Sequence, residues 1–315
     1  MSNDSPAPVL PEKARTGRRG LVIGIAVAVV VVIVAAVLII PNLFKGTSDD
    51  AAAAGKPVTV KLGVVDAGKS FWDIVVKRAK EDGINLEIVS FSDYTTPNPA
   101  LTNGDIDINK FQHVRYLAQY DASQREDLVP IGASEIYPIG FYSKKWTSVA
   151  DIPQGAEVTL SNNPANQVRP LLALEAAGLV TLKGDPGWNA TLDDVDYTKS
   201  RIGTITPIDP TQTAASLDSV DIAFVDSNFA QAAGLTVEQK IYEEDADRDD
   251  LGQYINIFAV RAKDADNAAL TKIVEIYQSD EVKKAIQAED GFEGIFKDTS
   301  VKELNSILEQ QKKQF

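Results

Sequence analysis

Short β-type runs alternate with amphipathic stretches from residue 58 onward, and this order most constrains the fold. Residues 58–65 combine β-branched side chains with the period-two pattern of a strand. Residues 71–81 follow as a helix, because Phe71, Ile74 and Ala79 share one face. Further strands are predicted at 86–89, 105–109, 157–160 and 221–225. Further helices are predicted at 112–120, 166–177, 266–278, 280–288 and 301–313, and one more follows strand 221–225 and ends at 233. This alternation predicts an α/β fold with largely parallel sheets covered by helices.

Two extended runs, residues 136–143 and 254–261, have no helical pattern beside them. We interpret them as strands that leave one lobe and return from the other. The prediction is therefore two α/β lobes joined by a two-strand hinge. The first lobe comprises residues 58–140 and 262–315, the second 144–253, and the hinge strands 141–143 and 254–261.

The N-terminal region contains twenty consecutive apolar residues, 21–40, preceded by Arg15, Arg18 and Arg19. About twenty apolar residues cross a bilayer as a helix, and flanking positive charge stays in the cytoplasm. We therefore predict a cytoplasmic tail (1–20), a transmembrane anchor (21–40) and a flexible linker (41–57). The folded part would then lie on the extracytoplasmic side of the cell membrane. The alternative is a signal peptide cleaved near the small residues 51–54, although its apolar region is longer than usual.

Composition excludes several classes of function. The chain has 315 residues and no cysteine, which rules out disulfides, thiolate metal sites and a lipid anchor on a cysteine. The net charge is −14, and because residues 1–45 carry +3, the remainder carries −17. Such a charge repels phosphate backbones and argues against a nucleic-acid partner.

Residues 91–117 hold the most informative cluster of side chains. They contain His113, the only histidine of the chain, together with Tyr94, Phe111 and Tyr116. The predicted strand 105–109 leads into this cluster, and the carboxyl ends of strands in open α/β sheets line ligand crevices. The segment therefore predicts one wall of a binding cleft. No Gly-x-Ser-x-Gly motif is present, and the acidic run 243–250 lacks the glycine and terminal glutamate of a calcium loop, so we read it as a solvated loop.

The folded part resembles the methionine-binding (NlpA/MetQ-type) substrate-binding proteins of bacterial ATP-driven importers. The matching pieces include Phe91-Ser-Asp-Tyr94, Pro97-Asn98, Gly104-Asp-Ile-Asp107, Phe111-Gln-His113, Asn162-Asn-Pro164 with Asn166 and Arg169, and Tyr254-Ile-Asn256. The resemblance implies a two-lobed periplasmic-binding-protein-like fold (type II) that closes over a free amino acid, with methionine favoured. It also implies partnership with a membrane permease and its ATPase. We expect a monomer that has no cofactor and no metal ion and is not an enzyme.

The resemblance assigns roles to individual residues. Arg169 would bind the ligand carboxylate, since its paired N–H donors match that group. Tyr94, Phe111, His113 and Tyr116 would form the side-chain pocket, where a thioether gains from aromatic contacts. Asn256 matches a second ligand-contacting asparagine.

Several of these residues also have a purely structural interpretation. Phe111 would pack in the core and His113 would be a structural histidine. Arg169 would lie at the surface or pair with a local acid, and Asn256 would end a strand or lie in a turn. Trp72 would either roof the cleft or belong to the core.

Asp226 departs from the family pattern, which usually has asparagine at this position. An aspartate here would strengthen a clamp on a zwitterion, favour a ligand with extra positive charge, or pair with Arg169 in the empty cleft. Amino-acid binding therefore follows from the resemblance more firmly than methionine specificity.

Other functions on the same fold stay open at this point. The ligand could be another amino acid or a short methionine-containing peptide. An enzyme or a sensory receptor could share the two-lobed fold, since fold alone does not determine function.

Overall fold

The computed structural model describes residues 57–245, 248–289 and 294–315. The predicted cytoplasmic tail, transmembrane anchor and nearly all of the linker lie outside the described residues. Within the described ranges, no helix has the length and apolar character needed to cross a bilayer.

The described strands and helices follow the predicted alternation. The strands are β1 Val58–Val64, β2 Ile84–Ser90, β3 Ile108–His113, β4 Leu128–Ala133, β5 Glu135–Ile136, β6 Gly140–Tyr142, β7 Ala156–Ser161, β8 Ile202–Ile208, β9 Ile222–Phe224, β10 Lys240–Glu243, β11 Asn256–Arg261 and β12 Ile295–Phe296. The α-helices are α1 Phe71–Glu81, α2 Pro97–Asn103, α3 Val114–Gln124, α4 Val168–Ala176, α5 Thr213–Ser216, α6 Ser227–Ala232, α7 Ala268–Tyr277, α8 Asp280–Gln287 and α9 Val301–Lys312.

The first lobe is built on a five-stranded sheet with the order β2-β1-β3-β11-β4. Strand β1 runs parallel to β2 and β3, whereas β11 is antiparallel to β3 and β4. Helix α1 packs against α7 and α8, and α9 packs against α3 and β4. The sheet and these helices bury apolar cores around Leu62, Phe258 and Leu117.

The second lobe repeats this architecture with the strand order β10-β6-β9-β7-β8. Strand β7 is parallel to β8 and β9, and β6 is antiparallel to β9 and β10. Its core surrounds Phe141, Leu160 and Leu174, each almost completely buried. The described part of the chain is thus a two-lobed α/β protein, with one mixed sheet in each lobe.

The chain passes from the first sheet to the second through residues 134–139, and it returns between β10, which ends at Glu243, and β11, which begins at Asn256. The first passage contains β5, which pairs with β12. The runs predicted as hinge strands, 141–143 and 254–261, fall mainly on β6 and β11, which are paired within their sheets. Extended character in the sequence does not by itself distinguish a strand inside a sheet from a segment that crosses between lobes.

Strand β3 and helix α3 begin later than predicted, at residues 108 and 114 rather than 105 and 112. The strand therefore includes Phe111 and ends at His113. Lys110 and Gln112 conceal this strand in the sequence, because buried polar residues break the expected alternation. Both are satisfied inside the fold, Lys110 by Glu135 and Gln112 by Asn98.

Candidate ligand-binding site

A cavity of about 110 Å³ lies between the two lobes. One water needs roughly 10–15 Å³ on this measure, so the cavity has room for a molecule of several heavy atoms. The seven residues predicted to contact ligand all line it, namely Tyr94, Phe111, His113, Tyr116, Arg169, Asp226 and Asn256. Residues that are far apart in sequence and come from both lobes thus converge on one space.

The first lobe contributes an aromatic wall, which we define as Tyr94, Phe111 and Tyr116. The ring centroids of Tyr94 and Phe111 are 6.2 Å apart, and those of Phe111 and Tyr116 are 5.9 Å apart in an edge-on arrangement. The Tyr116 hydroxyl donates a hydrogen bond of 2.8 Å to the Tyr94 carbonyl oxygen. Burial raises the pKa of Tyr116 above its ordinary value, so its ring stays neutral.

His113 connects the two lobes and is held as a neutral imidazole. It is the N-cap of α3, and its Nδ1 accepts a hydrogen bond of 3.1 Å from the Tyr116 backbone N–H. Nε2 must then carry the proton, which it donates to Asn166 Oδ1 of the second lobe at 3.0 Å. Burial and the nearby positive charge of Arg169 lower the pKa of His113 to about 3. His113 therefore acts as a hydrogen-bond donor near neutral pH and not as a base.

Arg169 lies at the start of α4 and is almost completely buried. Its Nε donates to Glu244 Oε1 at 2.5 Å, and its Nη2 donates to the Tyr137 carbonyl oxygen at 2.9 Å. The guanidinium also stacks on Tyr254, with Cζ 4.8 Å from the ring centroid. No residue in the described part of the chain accepts a hydrogen bond from Nη1, which is the donor left for a ligand.

Two further predicted residues lie at strand ends around the cavity. Asp226 follows β9 and is half-buried, and burial raises its pKa to about 6, opposed by the positive charge of Arg169. Asn256 begins β11, and its amide donates to the Glu135 carbonyl oxygen at 3.0 Å. The cavity therefore has a charged end at Arg169 and Asp226 and an aromatic side in the first lobe.

A buried network of charges forms the polar floor of the cavity. Lys110 Nζ binds Glu135 and lies 3.9 Å from Asp66 Oδ2. Glu135 is completely buried and also accepts hydrogen bonds from the hydroxyls of Tyr137 and Tyr277. Burial by itself lowers the pKa of Lys110, but the negative charge of Glu135 raises it above its ordinary value.

Trp72 does not line the cavity. It is 2% exposed and packs in the core of the first lobe against Phe71 and Tyr277. Its indole Nε1 donates to Asp66 Oδ1 at 3.0 Å. Trp72 therefore contacts the polar floor from the core of the first lobe and not from the cavity.

Sequence reasoning missed several residues that shape this site. Glu244, predicted to lie in a solvated acidic loop, is 7% exposed and is the ion-pair partner of Arg169. Phe229 of the second lobe packs on Tyr94 with ring centroids 5.0 Å apart, so it contacts the aromatic wall from the opposite lobe. Asn166 was noted only as part of a matching motif. The sequence carries no signal for Glu244, because the residues of an acidic run do not indicate which carboxylate is buried in the fold.

Comparison with known proteins identifies the family to which this chain belongs. The family described as NlpA lipoprotein matches residues 60–298, which is most of the chain. The chain belongs to the NlpA lipoprotein family. The Salmonella typhimurium D-methionine-binding lipoprotein MetQ is 38% identical over 235 residues, covering 73% of this chain and 84% of that protein. The Haemophilus influenzae probable D-methionine-binding lipoprotein MetQ is 33% identical over 257 residues, with 80% and 92% covered.

Solved structures of similar proteins share the two-lobed fold. A Staphylococcus aureus protein superposes with a TM-score of 0.75 at 38% identity, covering 80% of this chain and 99% of its own. A nutrient-binding protein from Burkholderia cenocepacia, solved bound to methionine, gives a TM-score of 0.69 at 37% identity, with 75% and 99% covered. The predicted two-lobed, periplasmic-binding-protein-like α/β fold is thereby confirmed for the described part of the chain.

Proposed function

We propose that this protein is the extracytoplasmic solute-binding component of an ABC-type amino-acid importer and that it binds methionine between its two lobes. The observation that carries this proposal is that one cavity joins an aromatic wall to a buried arginine. A free amino acid presents an apolar side chain and a charged end, and the two parts of the cavity match these two parts of the ligand. The relatives named as methionine-binding proteins support the choice of methionine.

The roles of the residues follow from the chemistry of the cavity. Arg169 Nη1 donates to the ligand carboxylate, and the ion pair with Glu244 holds the guanidinium in place. The aromatic wall contacts the thioether, and sulfur–aromatic contacts contribute about 0.3–1.5 kcal/mol each. Asn256 completes the polar rim. Contacts made from both lobes favour a closed form, as in other binding proteins of this architecture.

We propose further that residues 21–40 anchor the protein in the membrane and hold it near its permease and ATPase. The relatives are named lipoproteins, whereas this sequence has no cysteine to carry a lipid. A chain lacking residues 21–40 should leave the membrane fraction after an alkaline wash. Recovery of that variant in membranes would contradict the anchor.

Isothermal titration calorimetry of the full chain in mild detergent tests the ligand. L-methionine, D-methionine and norleucine are compared, since norleucine replaces the sulfur by a methylene at nearly constant size. We expect a methionine isomer to bind more tightly than norleucine. Absence of heat with every amino acid would refute the proposed function.

Arg169→Gln tests the carboxylate contact. Removing one partner of a buried charged pair costs about 2–5 kcal/mol, so affinity should fall roughly 30-fold or more. Arg169→Lys keeps the charge but loses the planar pair of donors, and it covers the case in which Arg169→Gln does not fold. Arg248→Gln is the matched control, because Arg248 pairs with Asp250 and its side chain is exposed. Equal affinity in the Arg169 variants and the control would rule out the assigned role.

A further inference from the structure

Asp226 occupies a helix-capping position that it does not use. It is the N-cap of α6, with φ −60° and ψ 144°, where an aspartate ordinarily accepts a hydrogen bond from a backbone N–H of the first turn. Its side chain makes no such bond. Its carboxylate also has no ion-pair or hydrogen-bond partner among the described residues, and it lines the cavity. A half-buried carboxylate without a protein partner points to a partner that arrives with the ligand.

The other carboxylates at the cavity are already occupied. Glu244 is paired with Arg169. Asp66 accepts a hydrogen bond from Trp72 Nε1 and lies near Lys110 Nζ, which also neutralises Glu135. The carboxylates outnumber the cations at the site, and Glu244, Glu135 and Asp66 each contact a cation or a hydrogen-bond donor of the protein, whereas Asp226 contacts none among the described residues. A cationic group on the ligand would balance it.

We propose that Asp226 is the specificity residue of this cavity, selecting ligands with a free ammonium group, and that affinity for them therefore falls in mild acid. The proposal rests on the proposed function, because it assigns the charged end of the same site. The ammonium of a free amino acid would contact Asp226 while its carboxylate contacts Arg169 Nη1. Ligands that lack the ammonium would leave Asp226 buried and unpaired.

Several titratable groups line the cavity together with Asp226, among them Asp66, whose pKa burial also raises. Arg169 faces Asp226 from α4, and its positive charge opposes the effect of burial on the pKa of Asp226. Tyr94 and Tyr116 face it from the first lobe, and burial together with the negative charge of Asp226 raises the pKa of both phenols. His113 is neutral because its pKa is lowered to about 3. Burial raises the pKa of Asp226 itself to about 6, so its carboxylate is largely ionised at neutral pH and largely protonated near pH 5.

The sign and size of the pH effect follow from linkage. A bound ammonium favours the ionised carboxylate and lowers its pKa in the complex. Protonation of the empty site therefore competes with binding below pH 6. For a pKa of about 6, affinity should fall roughly tenfold between about pH 7.5 and about pH 5.

The test is calorimetric titration of the full chain with methionine and with its 2-hydroxy analogue, in which a hydroxyl replaces the ammonium. The wild-type protein should bind methionine at least about tenfold more tightly than the hydroxy analogue at neutral pH. In Asp226→Asn this preference should largely disappear, and methionine binding should no longer weaken in acid. Asp121→Asn is the matched control, since burial also raises the pKa of Asp121 to about 6 but Asp121 lies on α3, where it pairs with Lys312 of α9 outside the cavity.

The outcomes separate the two proposals. If no methionine isomer binds the wild-type protein, the proposed function fails. If methionine binds but Asp226→Asn keeps both the preference over the hydroxy analogue and the loss in acid, the role of Asp226 is overturned. Loss of the acid response in Asp121→Asn as well would also overturn it, since the response would then reflect folding and not the cavity.

Discussion

Replacing Lys110 by methionine should strongly destabilise the fold, because Lys110 neutralises the completely buried Glu135. Methionine preserves the approximate volume of the side chain and removes only the charge and its hydrogen bonds. Glu135 would keep the hydrogen bonds of 3.0 and 3.1 Å that it accepts from the hydroxyls of Tyr137 and Tyr277, but no cation would contact it. Breaking a buried ion pair in this way costs about 3–5 kcal/mol.

The loss can be measured as a shift in thermal unfolding. For a domain of this size, 1 kcal/mol corresponds to about 2–4 °C, so the ligand-free melting temperature should fall by roughly 6–20 °C. Intrinsic tryptophan fluorescence is a suitable signal, because Trp72 bonds to Asp66 within the same network. The full chain in mild detergent is heated without ligand.

Two variants make this prediction refutable. Lys144→Met removes the surface partner of Asp218, whose side chain is 76% exposed, and should shift stability by no more than about 1 kcal/mol. Lys110→Met combined with Glu135→Gln removes both charges and should recover much of the lost stability. If Lys110→Met melts like Lys144→Met, or if the double variant melts no higher than Lys110→Met alone, the buried ion pair does not stabilise the fold as argued.

Three further predictions concern single residues. Tyr116→Phe removes the 2.8 Å hydrogen bond to the Tyr94 carbonyl, so methionine affinity should fall about twofold to tenfold by calorimetry; unchanged affinity would mean that this bond does not position the wall. Burial raises the pKa of Asp121 to about 6, so the folded state binds more protons than the unfolded state between about pH 4 and pH 6, and stability from this group falls as pH rises through that window. The stability of Asp121→Asn relative to the wild type should therefore be more favourable at pH 7.5 than at pH 4.5, by at most about 3 kcal/mol. Thermal unfolding measures this difference, and an equal difference at both pH values would contradict the prediction. Ser300→Ala should cost about 1 kcal/mol by removing the 3.2 Å hydrogen bond from the Glu303 backbone N–H to the Ser300 hydroxyl, whereas Ser300→Thr should retain most of it.

Local patterns predicted much of the fold correctly. The helix at Phe71–Glu81 has the predicted bounds, and α9 begins at Val301 as predicted, directly after the capping residue Ser300. These elements carry their own signals in a few neighbouring residues, namely an apolar face or a cap. Where such signals exist, the bounds of an element can be predicted without knowledge of its tertiary contacts.

The elements that were displaced depend on partners distant in sequence. Lys110 lies within β3 because Glu135, on the passage between the lobes, neutralises it. Glu244 is buried because Arg169 is opposite, 75 positions away. Charged residues are ordinarily exposed unless paired, so sequence alone assigns both to the surface. The pairing that reverses this assignment is visible only in three dimensions.

The position of β11 has a consequence for the order in which the lobes can form. The sheet of the second lobe uses strands from one continuous stretch, residues 140–243, whereas β11 must pair between β3 and β4 of the first lobe. Contacts over a long sequence separation form more slowly, because the intervening chain must first be closed into a loop. As the polypeptide emerges during synthesis, the second sheet can therefore be complete while β4 still lacks its neighbour. The first lobe, which carries the aromatic wall, is expected to finish last.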